Sequence, residues 1–132
     1  MNEINRYANT SMVEEYLYQA LYGSVSDHVF VGTLPSASGG DWNDMVLIDC
    51  DLPMQDYGPY SRATVYIFLY ARPNPDGTKN VPRLAQMENK LCDVLDSIND
   101  VHYSVNRISN GSDYDTTLQW HRNFVYFNLI IN

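Results

Sequence analysis

Cysteine, basic residues and long apolar runs are all scarce in this sequence, and each shortage closes off a class of protein. Only Cys50 and Cys92 occur in 132 residues. That is too few for a disulfide scaffold. With one thiol expected in a strand and the other in a helix, both read as small buried side chains, a usage that fits a reducing cytoplasm. Lys and Arg number 8 against 16 Asp and Glu, for a net charge of −8. So few cations do not suit a surface that grips nucleic-acid phosphates. No apolar run reaches the roughly 18 residues that span a bilayer, so no membrane partner is expected. The opening Met-Asn-Glu-Ile-Asn-Arg has no basic region followed by an apolar one, and no secretory signal is read there.

Chemical motifs are equally sparse. His28, His102 and His121 stand apart from one another and from the cysteines, without zinc-ligand spacing. Gly39-Gly40 is followed by Asp41 rather than by Lys-Ser or Lys-Thr, so it is not a phosphate loop, and there is no nucleophile elbow. Spacing leaves open a Cys–His or Ser–His–Asp site assembled in space, but it singles out no residue for one. No catalytic residue, cofactor or metal site is nominated, and an enzyme is not expected.

What the chain does have is a hydrophobic fraction of 45% beside a charged fraction of 18%. That composition and length suit one globular domain able to bury a core without metal or disulfide. The charge is uneven. Residues 1–61 hold nine acids and one base, whereas residues 62–132 hold seven of each. The acidic half reads as a solvated face, one that repels DNA or meets a basic partner.

Periodicity places the elements. Ser11-Met12-Val13-Glu14 has a capping-box pattern. Val13, Tyr16, Leu17, Ala20 and Leu21 then share a helical face up to Gly23. A short strand is expected over His28–Val31, a polar loop over Leu34–Asp44, and a strand over Met45–Leu52 with Asp49 and Asp51 on its outward face. Pro53–Ser61 reads as a second loop. The run Arg62–Arg72 is the longest strand-favouring stretch. Val65, Ile67, Leu69 and Ala71 alternate with Thr64, Tyr66, Phe68 and Tyr70, so a central strand covered on both faces is expected. A helix follows from Pro82, with Leu84, Met87, Leu91, Val94, Leu95 and Ile98 on its apolar face and Arg83, Gln86, Lys90, Asp93 and Asp96 solvated. Tyr103–Ile108 reads as a strand, Ser109-Asn110-Gly111-Ser112 as a turn, and Trp120–Ile131 as the last strand. The expected fold is α+β: a single mixed or antiparallel sheet of about five strands with two helices packed on it, in the order α-β-β-β-α-β-β.

Two groups stand out as surface features. Asp41, Asp44, Asp49 and Asp51 form the densest acid group, read as a solvated acidic surface rather than a cation site. Trp42, Tyr57, Tyr60, Tyr114 and Trp120 lie in or beside loops, where aromatics serve either packing or an interface.

Several landmarks follow in sequence: a helix Ser11–Tyr22 ending in Leu-Tyr-Gly, the strand and loop Val29–Pro35, the strands Met45–Asp51 and Thr64–Arg72, the helix Leu84–Ile98, and a last strand entered through His121-Arg122. In that succession the chain resembles the tail terminator, or tail completion, proteins of long-tailed bacteriophages and prophages. The likeness covers nearly the whole chain but contains no short motif, so no functional residue is carried over. It implies a homo-hexameric ring that caps the tail tube, ends its polymerisation and presents a surface to the neck proteins. DNA would pass through without specific binding. Assembly would take place in the host cytoplasm, and the final location would be the tail–neck region of the virion. The residues expected at an interface or lumen are Asp41, Trp42, Asp44, Asp49, Asp51, Tyr57, Tyr60, Arg62 and Arg72. A ring protein of this kind is expected to offer no pocket. The alternative, a small ligand-binding or regulatory α+β module, would show a concave apolar one.

Overall fold

The computed structural model describes residues 9–35, 42–50 and 54–132. Its elements are α1 (Thr10–Leu21), β1 (Val29–Val31), β2 (Asp44–Asp49), β3 (Gln55–Asp56), β4 (Ser61–Ala71), α2 (Val81–Ser97), β5 (Tyr103–Asp115) and β6 (Trp120–Ile131). The six strands form one sheet in the order β1-β2-β4-β6-β5, with β3 paired to β4. Only β1 and β2 run parallel; every other pair is antiparallel. The fold is α+β, as expected, and the sheet is mixed. The strand beyond the expected five is β3, a two-residue pairing inside the stretch read as the Pro53–Ser61 loop.

Alternation along β4 sets the layers. Val65, Ile67, Leu69 and Ala71 are buried against both helices, together with Val46 and Ile48 of β2 and Val125, Phe127, Leu129 and Ile131 of β6. Helix α1 contributes Val13, Leu17 and Leu21, and α2 contributes Leu84, Met87, Leu91 and Leu95. This face is the principal core. The opposite face of β4 is not sealed as expected. Tyr70 is buried, whereas Thr64, Tyr66 and Phe68 stay partly exposed. A smaller cluster of Met45, Leu47, Tyr70 and Trp120 covers only one end of it, flanked by Phe30, Leu34, Trp42, Phe68 and Leu118. Both helices lie on the other side, so among the described residues no second layer covers this face.

The helix starts are capped by asparagine. Asn9, not Ser11, caps α1: its side chain accepts from the Ser11 amide at 2.9 Å, which displaces the expected Ser11–Glu14 box. Asn80 caps α2 through the Arg83 amide, with Pro82 in the first turn. Gly23 follows α1 with φ +77, the left-handed conformation expected of a helix stop.

Strand β5 departs most from expectation. It continues through Ser109–Ser112 to Asp115, with a register shift between Arg107 and Ser109, and the turn falls after it, where Gln119 has φ 62. Turn-favouring residues are overridden here by pairing with β6 along the whole length. Gly111 is needed in the strand rather than in a turn. A Cβ built on it would sit 2.8 Å from the Phe124 ring, which lies across it.

Candidate functional site

The register brings four aromatic side chains together on the uncovered face. Tyr66 pairs with Tyr126 and Phe68 with Phe124 across the two central strands. Ring centroids lie 4.5 Å apart for Tyr66–Tyr126, 5.7 Å for Tyr66–Phe68 and 6.0 Å for Phe68–Phe124. All four are half-buried, so the cluster is a packed aromatic floor open to solvent.

Arginine–aromatic stacks surround that floor. The Arg122 guanidinium lies 4.1 Å from the Phe68 centroid, Arg72 5.1 Å from that of Trp120, and Arg62 5.2 Å from that of Tyr57. Arg122 is held on both sides. It donates to both Asp113 oxygens, at 2.6 and 3.1 Å, and to the Tyr70 hydroxyl at 2.8 Å, and Tyr70 donates in turn to Asp115 at 3.1 Å. The Asp113 hydrogen bonds hold the guanidinium in its charged form and raise its pKa further. Burial pushes the Tyr70 hydroxyl up to about 12, although Arg122 pulls the other way. This network fastens the end of the β5–β6 hairpin to β4. Arg72 donates to the Trp42 carbonyl at 2.7 Å and so holds the segment entering β2.

The expected site residues separate. Tyr57 and Tyr60 are exposed and stack on each other at 5.0 Å beside β3, and Arg62 joins them through Gln55. Trp42 is half-buried, stacked between His28 at 4.7 Å and Phe30 at 5.3 Å. Asp44 is not a solvated carboxylate. Its side chain is 17% exposed, Arg83 reaches it at 2.6 Å, and the Ser26 hydroxyl donates to it. Arg83 is thereby also not free in water as expected. Asp49 lies on the outward face of β2, paired in register with Tyr66. Asp41 and Asp51, with most of the loop expected over Leu34–Asp44, lie outside the described residues. Trp120 stands beside the turn at the start of β6, as expected, but is buried, whereas Tyr114 lies in β5 and is exposed. Of the four carboxylates, the two described lie on opposite faces of β2: Asp44 turns to Arg83 of α2, and Asp49 shares the face of Tyr66.

Residue-by-residue reading missed Tyr66, Phe68, Phe124 and Tyr126 as a surface. Their alternation was visible in each strand, but the strand pairing that joins them was not. It also missed an open groove of about 680 Å³ between the Gly23–His28 turn, the Trp42–Asp44 segment and the flank of α2. Its walls include Asp27, His28, Asp44, Arg83, Lys90 and Asp93. The groove contradicts the expectation of no pocket, and its polar character differs from the apolar hollow expected of the alternative. Cys50 and Cys92 are free and half-buried, and burial pushes the Cys50 thiol up to about 12. Among the described residues there is no group of three metal-ligating side chains, and no helix is long and apolar enough to cross a membrane. No protein-family model matches this chain, and no curated protein matches it either.

Proposed function

We propose that this chain is a structural protein of a long-tailed phage or prophage, a tail terminator that caps the tail tube as a ring and offers the joining surface to the neck. The observation that carries the reading is a sheet clothed, among the described residues, by helices on one face only. The opposite face has an aromatic floor bordered by arginine stacks, and both sheet edges are free of a neighbouring strand among the described residues. Surfaces of this kind are satisfied by association with other proteins. The order of elements supports the same reading through its likeness to the terminator proteins. So does the charge: nine acids and one base in residues 1–61 suit a lumen along which DNA slides without being held. In this role the chain acts by assembly rather than catalysis, in the tail–neck region of the virion.

Electron microscopy of particles assembled without the chain tests this directly. Overlong tails without joined heads are expected. Tails of normal length joined to heads would remove the terminator role.

The polar groove of about 680 Å³ favours a second reading, a ligand-binding module. A small polar compound that raises the melting temperature of the wild-type protein, but not of Arg83→Ala, would support it.

A further inference from the structure

The two free edges of the sheet are unlike, and three features make them complementary. The first is direction. Following the pairings from β1 to β5, the two edge strands run in opposite senses. Copies placed side by side in the same orientation therefore bring β5 of one against β1 of the next as an antiparallel pair, with both helix layers on the same side.

The second is level. Val31 pairs with Ile48, Ile48 with Ile67, Ile67 with Val125, and Val125 with Asn110. Val31 and Asn110 thus occupy one row at opposite edges. Arg107 sits on the row of Phe127, two β6 residues from Val125, or about 7 Å along the strand. In a flat ring, equal rows meet.

The third is chemistry. At the β1 edge, Ser11, Glu14, Glu15, Tyr18 and Val31 line a groove of about 310 Å³. At the β5 edge, the register shift presents Arg107, with 46% of its side chain exposed, beside Ile108, which is 47% exposed. The Arg107 bond to Asp96 is long, at 3.3 Å, and Asp96 is 60% exposed, so it holds the guanidinium weakly. Edge strand β5 also lacks proline and lysine, two of the usual guards against strand addition.

We propose that the Arg107–Ile108 bulge of one copy docks into the Glu14–Glu15–Tyr18–Val31 groove of the next, head to tail. The guanidinium meets the two carboxylates, and the isoleucine covers Tyr18 and Val31. Such a contact joins unlike patches, so it propagates and closes into a ring when the rotation allows. It places the neutral half of one chain against the acidic half of its neighbour and keeps acidic halves apart. This contact rests on the ring reading above.

Charge exchange tests it, with association followed by sedimentation velocity in the presence of purified tail tubes. Arg107→Glu and Glu15→Arg are each expected to weaken assembly about tenfold to a hundredfold, with melting temperatures unchanged because both sites are exposed. Mixing the two variants, or combining them in one chain, restores opposite charges at every contact and is expected to restore assembly. Assembly of Arg107→Glu at wild-type strength would overturn the contact while leaving the ring reading standing. Loss without rescue on mixing would overturn it as well. A wild-type chain that stays monomeric would end both.

Discussion

At the scale of single residues, burial decides which side chains matter. Tyr70 is 1% exposed, and its hydroxyl serves Arg122 and Asp115 together. Tyr70→Phe removes one bond from each, while Arg122 keeps Asp113 and Asp115 keeps the Leu118 amide, and is expected to cost about 0.5–1.5 kcal/mol in denaturant unfolding. The same hydroxyl governs alkaline stability, together with Tyr16, which donates to Asp100 at 3.0 Å. Burial raises both phenols from 10 to about 12. The unfolded chain therefore releases these protons first. The stability they contribute is complete below pH 10 and disappears as pH rises towards 12. Tyrosinate absorbance is expected to show late-titrating phenols that Tyr16→Phe and Tyr70→Phe each diminish, together with loss of near-ultraviolet circular dichroism. A titration curve that neither substitution alters at its alkaline end would contradict this. These pairings were not legible in the sequence. Tyr70 and Arg122 stand 52 positions apart, and only strand register brings them together.

Among the elements, those with a strong period were legible and those with mixed signals were not. The apolar spacing from Leu84 to Leu95 marks α2, and the alternation from Val65 to Ala71 marks β4, because each pattern repeats over several turns or residues. Accordingly Leu91→Ala, at a fully buried position, is expected to cost about 2–5 kcal/mol. The β5 stretch Ser109-Asn110-Gly111-Ser112 carries turn chemistry locally, yet it is held extended by β6. Gly111 explains the conflict, since the Phe124 ring fills the space a side chain would take. Gly111→Ala is expected to destabilise by about 1–3 kcal/mol through overpacking, and adding Phe124→Leu is expected to recover part of that loss. Equal stability of Gly111→Ala and wild type would show that the ring moves aside freely. The capping error at Ser11 has a similar source. Asn9 and Ser11 both carry side-chain acceptors suited to a cap, and the backbone path that selects Asn9 is not written in residue type.

For the molecule as a whole, one asymmetry matters most. Helices cover one face of the sheet, and the other is left as an aromatic floor with arginines around it. The α+β class and both helices were legible, because apolar periodicity is a local property. The open face was not, because Tyr66 and Phe68 look like core residues until it is known on which side the helices pack. The charge division at residue 61 was legible from counting alone, and the strand order turns it into geometry: β1 and β2 of the acidic half lie at one end of the sheet, β5 and β6 of the neutral half at the other. The proposed head-to-tail ring would use that polarity. Sedimentation velocity of the purified chain, alone and with tail tubes over a wide concentration range, measures the central property. A discrete closed oligomer the size of a hexamer is predicted on the tubes. A monomer at every concentration, with and without tubes, would contradict the ring and the capping role with it.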